Sequence, residues 1–261
     1  MSQYLVNPEL AKSFPHFETL YALNVSEIFY DTIQGEGVYS GVPSIFLRLA
    51  GCPVNCIWCD SKNIWKHAIT MDILYLIDLF KKNGLIERLN KGHHLVITGG
   101  SPLLQQDMLL LFITNLIHEC KGKPFIEIEN ECSMEVKNEN TLLFYYIDCW
   151  NNSPKLENAK SKFTGRYNPA ALKQVGIEAS ECWFKFVVDP DNPEKTWKEI
   201  QSEYFDMGLI KRSQIILMPL GASREELTPE KRASVAEFGV SKGVRYSERV
   251  QINLYDKRQG V

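Results

Sequence analysis

One segment of the chain reads Gly51-Cys52-Pro53-Val54-Asn55-Cys56-Ile57-Trp58-Cys59-Asp60-Ser61. It sets three cysteines within eight residues at a C-x3-C-x2-C spacing, and is referred to below as the cysteine loop (residues 51–61). Thiolates are soft ligands that select zinc, copper(I) or iron–sulfur clusters. Glycine, proline and asparagine favour a loop that wraps back on itself, whereas a helix would not present all three thiols inward. The segment therefore predicts a metal centre.

The number of ligands bears on which metal is bound. A structural zinc site is closed by four protein ligands, and the nearest further candidate, His67, lies outside the loop. Three cysteines on a four-iron cluster leave one iron without a protein ligand, where a small molecule can bind. Core packing of the three thiols is a third interpretation. We predict a [4Fe-4S] cluster held by Cys52, Cys56 and Cys59, with the open iron as the active site.

The composition bounds the class of protein. In 261 residues, 44% are hydrophobic and 23% charged, with a formal net charge of −3, which is typical of a globular chain without the basic field that nucleic acid requires. The first residues lack a cationic and apolar leader, and no apolar run is long enough to span a membrane. We therefore expect a cytoplasmic protein with a small-molecule ligand and neither a nucleic-acid nor a membrane partner.

The remaining cysteines do not suggest disulfides. The total of seven is odd, and a secreted disulfide framework normally needs an even set at close spacing. Four lie scattered, at Cys120, Cys132, Cys149 and Cys182. We interpret them as packed thiols.

Apolar runs with strand character alternate with stretches of helical period. Strands are predicted at 27–33, 44–50, 94–98, 124–129, 142–149, 182–188, 214–218 and 250–254, and helices at 71–82, 102–120, 196–205 and 228–242. This alternation predicts parallel βαβ units. We expect an α/β fold, an incomplete (partial) βα barrel of about six parallel strands, because a closed barrel needs eight. Residues 1–24 are predicted to be an N-terminal extension packed on a single domain, residues 25–261.

Two further features could face a ligand. Gln34-Gly35-Glu36-Gly37 follows a predicted strand, and its glycines either let the backbone approach a ligand or form a plain hairpin turn. Arg48 lies in an otherwise apolar strand. A guanidinium there must be paired, either with a carboxylate of a ligand or with an internal Asp or Glu.

Several segments follow predicted strands. In Thr98-Gly99-Gly100-Ser101-Pro102, Ser101 suits an N-cap and Pro102 the first helical position. Ser153-Pro154-Lys155 and Pro219-Leu220-Gly221 are the other two such segments. In parallel βα folds, ligands bind where strands end. We therefore expect these segments and the cysteine loop to surround one site.

The cysteine spacing, followed by Gly99-Gly100 after the next strand, resembles the pattern of radical S-adenosylmethionine (SAM) enzymes. The blocks 33–37, 43–52 and 58–61 further resemble the 7-carboxy-7-deazaguanine synthase family. The resemblance implies a radical SAM lyase that converts 6-carboxytetrahydropterin, with a [4Fe-4S] cluster, SAM and Mg²⁺ as cofactors. It also implies an electron donor such as flavodoxin or ferredoxin, and a homodimer.

The resemblance also assigns binding residues, but no catalytic side chain. It implies SAM contacts at Trp58, Cys59, Asp60, Gly99, Gly100, Ser101, Ser153, Pro154, Lys155 and Pro219. It implies substrate contacts at Ile33, Gln34, Gly35, Glu36, Arg48, Thr98 and Val261. It implies a magnesium ligand at Ser61, whose alternative role is to cap the turn that leaves the cysteine loop.

The chain departs from the family pattern at one position. Ser101 stands where the family has a glutamate that usually holds the amino group of SAM. A serine offers no charge, so either another acid substitutes or SAM is held more weakly. Two other functions stay open: an activase that makes a glycyl radical on a partner protein, and a non-catalytic zinc or iron–sulfur module.

Overall fold

The computed structural model describes residues 3–260, which form one ten-stranded sheet. Its order is β1-β2-β3-β5-β6-β7-β8-β9-β10, and β4 pairs with β2 outside this path. The strands are β1 (Gln3–Val6), β2 (Ala22–Ile33), β3 (Pro43–Leu49), β4 (Ile69–Asp72), β5 (His94–Gly99), β6 (Ile126–Asn130), β7 (Cys149–Asn152), β8 (Glu181–Val188), β9 (Ile215–Pro219) and β10 (Arg245–Tyr246).

The sheet is parallel from β3 through β5 to β10, and β2 is antiparallel to β1, β3 and β4. The α-helices are α1 (Lys62–Trp65), α2 (Ile73–Lys82), α3 (Leu85–Asn90), α4 (Gln106–Glu119), α5 (Leu142–Tyr146), α6 (Phe163–Arg166), α7 (Pro169–Glu178), α8 (Pro193–Ile200), α9 (Pro229–Lys242) and α10 (Val250–Tyr255). The order ends at β1 and β10 without closing, so the predicted partial βα barrel is confirmed. The last strand of the parallel series, β10, is only two residues long.

The strands are buried because both faces of the sheet are covered. In β5 every residue from His94 to Thr98 is buried, as expected of a parallel strand in the centre of a sheet. The main core lies between the sheet and its helices. A smaller cluster of Phe29, Phe46 and Val96 forms on the other side, where the two phenyl rings stack 4.7 Å apart.

Two predicted strands are wrong. The range 142–149 folds as helix α5, which buries Leu143 and Phe144, and the strand β7 starts only at Cys149. The range 250–254 lies in helix α10. Both are short apolar runs, in which periodicity does not separate a strand from a buried helical turn. Tertiary packing therefore decided these two elements.

Capping residues set the boundaries of two helices. Helix α9 begins after Thr228, whose hydroxyl accepts from the Lys231 N–H, and ends at Gly243 in the left-handed conformation. Helix α2 begins after Asp72, which caps its first turn, and Met71 belongs to β4 rather than to the helix. The predicted helix from residue 102 starts with a 3₁₀ turn, Pro102–Gln105, before α4.

The N-terminal segment contributes to the sheet. Strand β1 pairs with β2, which starts at Ala22 and is longer than the predicted 27–33. The division into residues 1–24 and 25–261 stays a prediction. Across residues 3–260, no helix has the length and apolar character needed to cross a bilayer.

Candidate functional site

A cavity of about 800 Å³ opens at the carboxyl ends of the parallel strands. Its wall contains most of the residues predicted for the site: Gln34, Gly35, Glu36, Arg48, Cys52, Cys56, Trp58, Cys59, Asp60, Ser61, Thr98, Gly99, Gly100, Ser153 and Lys155. The parallel topology brings the cysteine loop, Gly99-Gly100 and the segment 153–155 together because each follows a strand of the parallel series. The turn at residues 34–37 instead lies between the antiparallel strands β2 and β3. The volume is sufficient for small-molecule ligands.

The other predicted residues stand outside the wall or outside the described chain. Four described residues lie next in sequence to the wall without forming part of it: Ile33, Ser101, Pro154 and Pro219. Val261 lies outside the described residues. Its neighbour Gly260 lines the cavity in a left-handed conformation and packs against the Tyr4 ring.

The cysteine loop folds back on itself through local backbone contacts. Asn55 adopts φ 56°, a left-handed conformation that asparagine tolerates better than most residues. The Cys59 N–H donates to the Cys56 carbonyl at 3.4 Å, and the Ile57 N–H donates to the Ala159 carbonyl at 2.9 Å. These turns and the anchor to Ala159 place all three cysteines on the cavity wall.

Gly99 and Gly100 are required by packing. A Cβ atom on Gly99 would lie 2.4 Å from the Leu49 carbonyl oxygen. One on Gly100 would lie 2.1 Å from the Gly51 carbonyl oxygen and 2.6 Å from the Cβ of Cys52. The missing side chains therefore let the end of β5 lie directly against the start of the cysteine loop.

The thiols are suited to bind iron. All three are free, and burial raises the pKa of the Cys52 and Cys56 thiols. Such thiols stay protonated until a metal displaces the proton. Lys155 lies close enough to counter this rise at both, and its positive charge would stabilise bound thiolates. Residues 3–260 contain no three His, Cys, Asp or Glu side chains grouped as ligands of a single metal ion.

Aromatic side chains surround the loop on both sides. The Trp65 indole N–H donates to the Cys59 sulfur at 3.4 Å, and the Trp58 indole N–H donates to the Asn158 carbonyl at 3.0 Å. The Lys155 ammonium lies 5.6 Å from the centroid of the Trp58 ring and donates to the Ser153 hydroxyl at 2.8 Å. The predicted SAM segment 153–155 therefore lies directly against the cysteine loop.

Arg48 has an internal partner. Its Nε donates to Glu27 Oε1 at 2.7 Å. The ion pair with an internal acidic residue, one of the two possibilities that the sequence offered, is therefore present. Burial would lower the pKa of the guanidinium, but Glu27 raises it above its ordinary value, with a further contribution from Glu129. Glu129 accepts a hydrogen bond from Thr98 at 2.7 Å. Arg48 is thus charged and still lines the cavity.

Glu36 lies at the centre of a charged network. Its Oε2 binds the buried Lys185 ammonium, and its Oε1 accepts from Arg249 Nε at 3.0 Å and from Gln251 Nε2 at 2.8 Å. Burial would raise the pKa of this carboxyl, but Lys185 and Arg249 hold the pKa well below its ordinary value. Glu36 therefore connects the turn at residues 34–37 with β8 and α10.

The Ser61 side chain does not act as the cap that was considered as its alternative role. It occupies the N-cap position of α1, but within the described chain its hydroxyl caps no backbone N–H of that helix. The hydroxyl instead lies 3.6 Å from the Cys59 sulfur, on the cavity wall. The oxygen is thus placed beside the candidate cluster ligand.

Ser101 is also not the predicted side-chain cap. Its hydroxyl donates to Glu131 Oε1 at 2.7 Å, in a buried contact between the ends of β5 and β6. Within the part of the chain that the structure describes, this hydroxyl caps no helical N–H. The charge missing at Ser101 is therefore present next to it.

The charged residues of the wall that sequence reasoning missed include Glu27, Glu131, Lys185 and Arg249. The sequence pattern could have identified Lys185, because this lysine interrupts the apolar strand β8 as Arg48 interrupts β3. Arg249 directly precedes the segment predicted as a strand and is the N-cap residue of α10, so its side-chain direction could not be assigned. Glu131 follows the predicted strand without any motif that marks it.

Comparison with known proteins gives the family. Residues 33–168 match the family of the 4Fe-4S single cluster domain. The 7-carboxy-7-deazaguanine synthase of Pyrobaculum aerophilum is 30% identical over 241 residues, which cover 91% of this chain and 97% of the relative. That of Halobacterium salinarum is 27% identical over 246 residues, covering 90% and 91% of the two chains.

A solved structure supports the fold. The crystal structure of QueE from Escherichia coli superposes with a TM-score of 0.62 at 23% identity, over 90% of this chain and 100% of that chain. At this identity the likeness concerns the architecture alone. The sequence match to the Pyrobaculum synthase extends over nearly all of both proteins. This chain therefore belongs to the 7-carboxy-7-deazaguanine synthase family.

Proposed function

We propose that this chain is a radical SAM lyase that converts 6-carboxy-5,6,7,8-tetrahydropterin to 7-carboxy-7-deazaguanine with loss of ammonia, a step of 7-deazapurine (queuosine-type) biosynthesis. Its family membership supports this activity. The observation that carries it is that the cysteine loop and the half-buried cation Arg48 share one cavity. A carboxylated heterocycle bound near Arg48 would lie within the same chamber as the cluster.

The cofactors fit the donor set of the wall. Cys52, Cys56 and Cys59 would hold the [4Fe-4S] cluster, and the segments 99–101 and 153–155 would hold SAM beside it. When bound, the cluster supplies the electron that cleaves SAM to methionine and the 5′-deoxyadenosyl radical, which takes a hydrogen from the substrate. The protein must orient both molecules and exclude water.

The substrate side combines one cation with an aromatic surface. Glu27 occupies Nε of Arg48, so we propose the outer guanidinium nitrogens for the substrate carboxylate. The stacked rings of Phe29 and Phe46 line the cavity and offer an apolar face to a flat pterin. Thr98 and the turn at Gln34 would contact its polar edge.

We propose a magnesium ion at Ser61. Its hydroxyl is a hard oxygen ligand of the kind that Mg²⁺ prefers, and the adjacent Asp60 also faces the cavity. The substrate carboxylate would complete the coordination together with waters. A cation there would stabilise negative charge on the substrate as its ring rearranges.

Three further proposals concern the environment of the enzyme. An electron donor such as flavodoxin or ferredoxin reduces the cluster, the active form is a homodimer, and the protein acts in the cytoplasm. We also propose that residues 25–261 are a single functional domain. The odd number of cysteines and their free thiols support a reducing compartment.

One anaerobic assay tests the activity. The protein is reconstituted with iron and sulfide, reduced, and incubated with SAM and 6-carboxytetrahydropterin, and the product is identified by mass. We expect 7-carboxy-7-deazaguanine with SAM unconsumed. SAM cleavage without this product would favour the glycyl-radical activase, and a colourless zinc protein or a cluster that leaves SAM intact would favour the non-catalytic module.

A further inference from the structure

The carboxylate of Glu131 lies next to Ser101. The family pattern has an acidic side chain at the position of Ser101. Ser101 follows Gly99-Gly100 at the end of β5, and Glu131 follows the last residue of the neighbouring strand β6. The Ser101 hydroxyl donates to Glu131 Oε1 at 2.7 Å. The negative charge thus approaches the same place from the adjacent strand.

The two carboxylate oxygens of Glu131 differ in their hydrogen-bond partners. Oε1 accepts from both the Ser101 hydroxyl and the Ser133 hydroxyl, at 2.7 Å and 2.5 Å. Oε2 is buried and has no hydrogen-bond partner among the described residues. The whole residue is only 4% exposed, yet it forms part of the cavity wall. A buried carboxylate oxygen without a partner is costly, so this oxygen requires a donor from the cavity.

The protein itself does not neutralise this charge by direct contact. Within residues 3–260, no Lys, Arg or His lies in ion-pair distance of Glu131. The residue shares the cavity wall with Cys52 and Gly100. A ligand group that donates a hydrogen bond near the cysteine loop would supply the missing partner of this oxygen.

The position of the carboxylate is fixed by the turn in which it lies. Asn130 Nδ2 donates to Asn152 Oδ1 on β7 at 3.0 Å, and Asn130 Oδ1 accepts from the Cys132 N–H at 3.3 Å. Cys132 adopts φ 59°, which reverses the chain directly after Glu131. These contacts hold the backbone on both sides, so the carboxylate is preorganised to receive a ligand.

We infer that Glu131 supplies the carboxylate that accepts a hydrogen bond from the α-amino group of SAM, and that Ser101 and Ser133 are positioning residues that hold its other oxygen. This inference rests on the proposed function, since it assumes that SAM binds in this cavity. It resolves the loss of charge at Ser101, because the acid has moved to the neighbouring strand end. Ser101→Glu alone would place two carboxylates side by side in a buried site.

The test measures SAM binding rather than turnover. Equilibrium dialysis on the anaerobic, cluster-loaded protein gives Kd values for SAM and for its deaminated analogue, in which hydrogen replaces the α-amino group. Glu131→Gln keeps the shape and the acceptor for both hydroxyls. We expect it to weaken SAM about 10- to 100-fold, the loss of a charge-assisted hydrogen bond, and to change binding of the analogue by less than about 3-fold.

Two variants complete the test. Glu135→Gln removes an exposed carboxylate of the same segment and should leave both Kd values unchanged. Ser101→Glu combined with Glu131→Gln returns the acid to the family position and should restore most of the selectivity for SAM over the analogue. Iron content is measured for each protein. If Glu131→Gln loses its cluster, the selectivity of the double variant for SAM over the analogue decides the result.

The outcomes separate the inference from the function on which it rests. If wild type binds SAM and Glu131→Gln binds it equally well, or if the variant loses SAM and the analogue alike, the assignment of Glu131 is overturned while the radical SAM function stands. If the double variant with an intact cluster shows no selectivity, the relocation of the acid is also overturned. If the wild-type protein with a full cluster does not bind SAM, the proposed function itself fails.

Discussion

Arg249 in the C-terminal region binds Asp60, the residue that directly follows the last cysteine of the cysteine loop. The same guanidinium binds Glu36 in the turn at residues 34–37 and the Gly221 carbonyl after β9. One side chain therefore connects three parts of the cavity wall that are far apart in sequence. Because it is fully engaged, it fixes the distance between the cluster side and the substrate side of the cavity.

Replacing Arg249 tests this connection. Arg249→Ala leaves Glu36 with Lys185 and Gln251 as partners, so we expect the free energy of unfolding to fall by about 1.5–3 kcal/mol, the usual worth of hydrogen bonds to charged groups. Substrate KM should rise more than kcat falls. Urea unfolding and steady-state kinetics measure the two effects, with Lys66→Ala at an exposed position as control. Unchanged stability and KM would show that the connection has no role.

The three cysteines of the loop should differ from the scattered ones. Cys52→Ala, Cys56→Ala and Cys59→Ala should each lose most of the reconstituted iron, since a cluster with two cysteine ligands is poorly held. Cys120→Ala, at the half-buried C-cap of α4 and outside the cavity wall, should keep the wild-type iron content. The measurement is iron and sulfide per chain after anaerobic reconstitution. A full complement of iron in the loop variants would refute the cluster assignment.

Gly100 should not tolerate a side chain. The Cβ of Gly100→Ala would meet the Gly51 carbonyl oxygen at 2.1 Å, so the cysteine loop must shift. We expect a loss of about 1–3 kcal/mol in the free energy of unfolding, typical of overpacking, together with a lower iron content. Gly122→Ala is the matched control because its Cβ would meet nothing within 4 Å. Equal stability and iron in the two variants would mean that the loop adapts freely.

The network around Glu36 should make stability depend on acid pH. Its pKa is held far below the ordinary value in the folded chain, so the unfolded chain, where a Glu has a pKa of about 4.3, takes up the proton first. The stabilisation is complete above that pH and is lost progressively as the pH falls below it. Glu36→Gln should lower the stability at pH 7 and flatten its decrease below about pH 5. Urea unfolding of the cluster-free protein from pH 7 to pH 3.5 measures both effects, and parallel pH curves for the two proteins would count against the assignment.

The hydroxyl of Ser61 should determine the response to magnesium. Ser61→Ala should keep its cluster and its SAM affinity but lose most of the stimulation of turnover by Mg²⁺, since a methyl group cannot replace a hard oxygen ligand. Ser61→Thr, which keeps the hydroxyl, should respond like wild type. A magnesium titration of turnover distinguishes the variants. The same magnesium dependence in Ser61→Ala and wild type would exclude the side chain as a ligand.

The sequence was sufficient wherever the chemistry is local. Three thiols within eight residues predict a metal loop from local spacing alone, and Thr228 and Gly243 mark the ends of α9 because caps act within a single turn. The alternation of strands and helices was enough for the parallel sheet. This in turn predicted that the cysteine loop, Gly99-Gly100 and the segment 153–155 would meet, because parallel strands end at one edge.

The tertiary structure decided the features that depend on residues far apart in the chain. The short apolar runs at 142–149 and 250–254 became helices because packing, rather than periodicity, sets such elements. The partners of Arg48, Glu36 and Ser101 come from other strands and helices, so no local pattern could identify Glu27, Arg249 or Glu131. A buried charge selects its partner through distance and burial in three dimensions. The sequence by itself therefore determined the class of fold and predicted the metal loop, and only the folded chain determined which charges meet in the cavity.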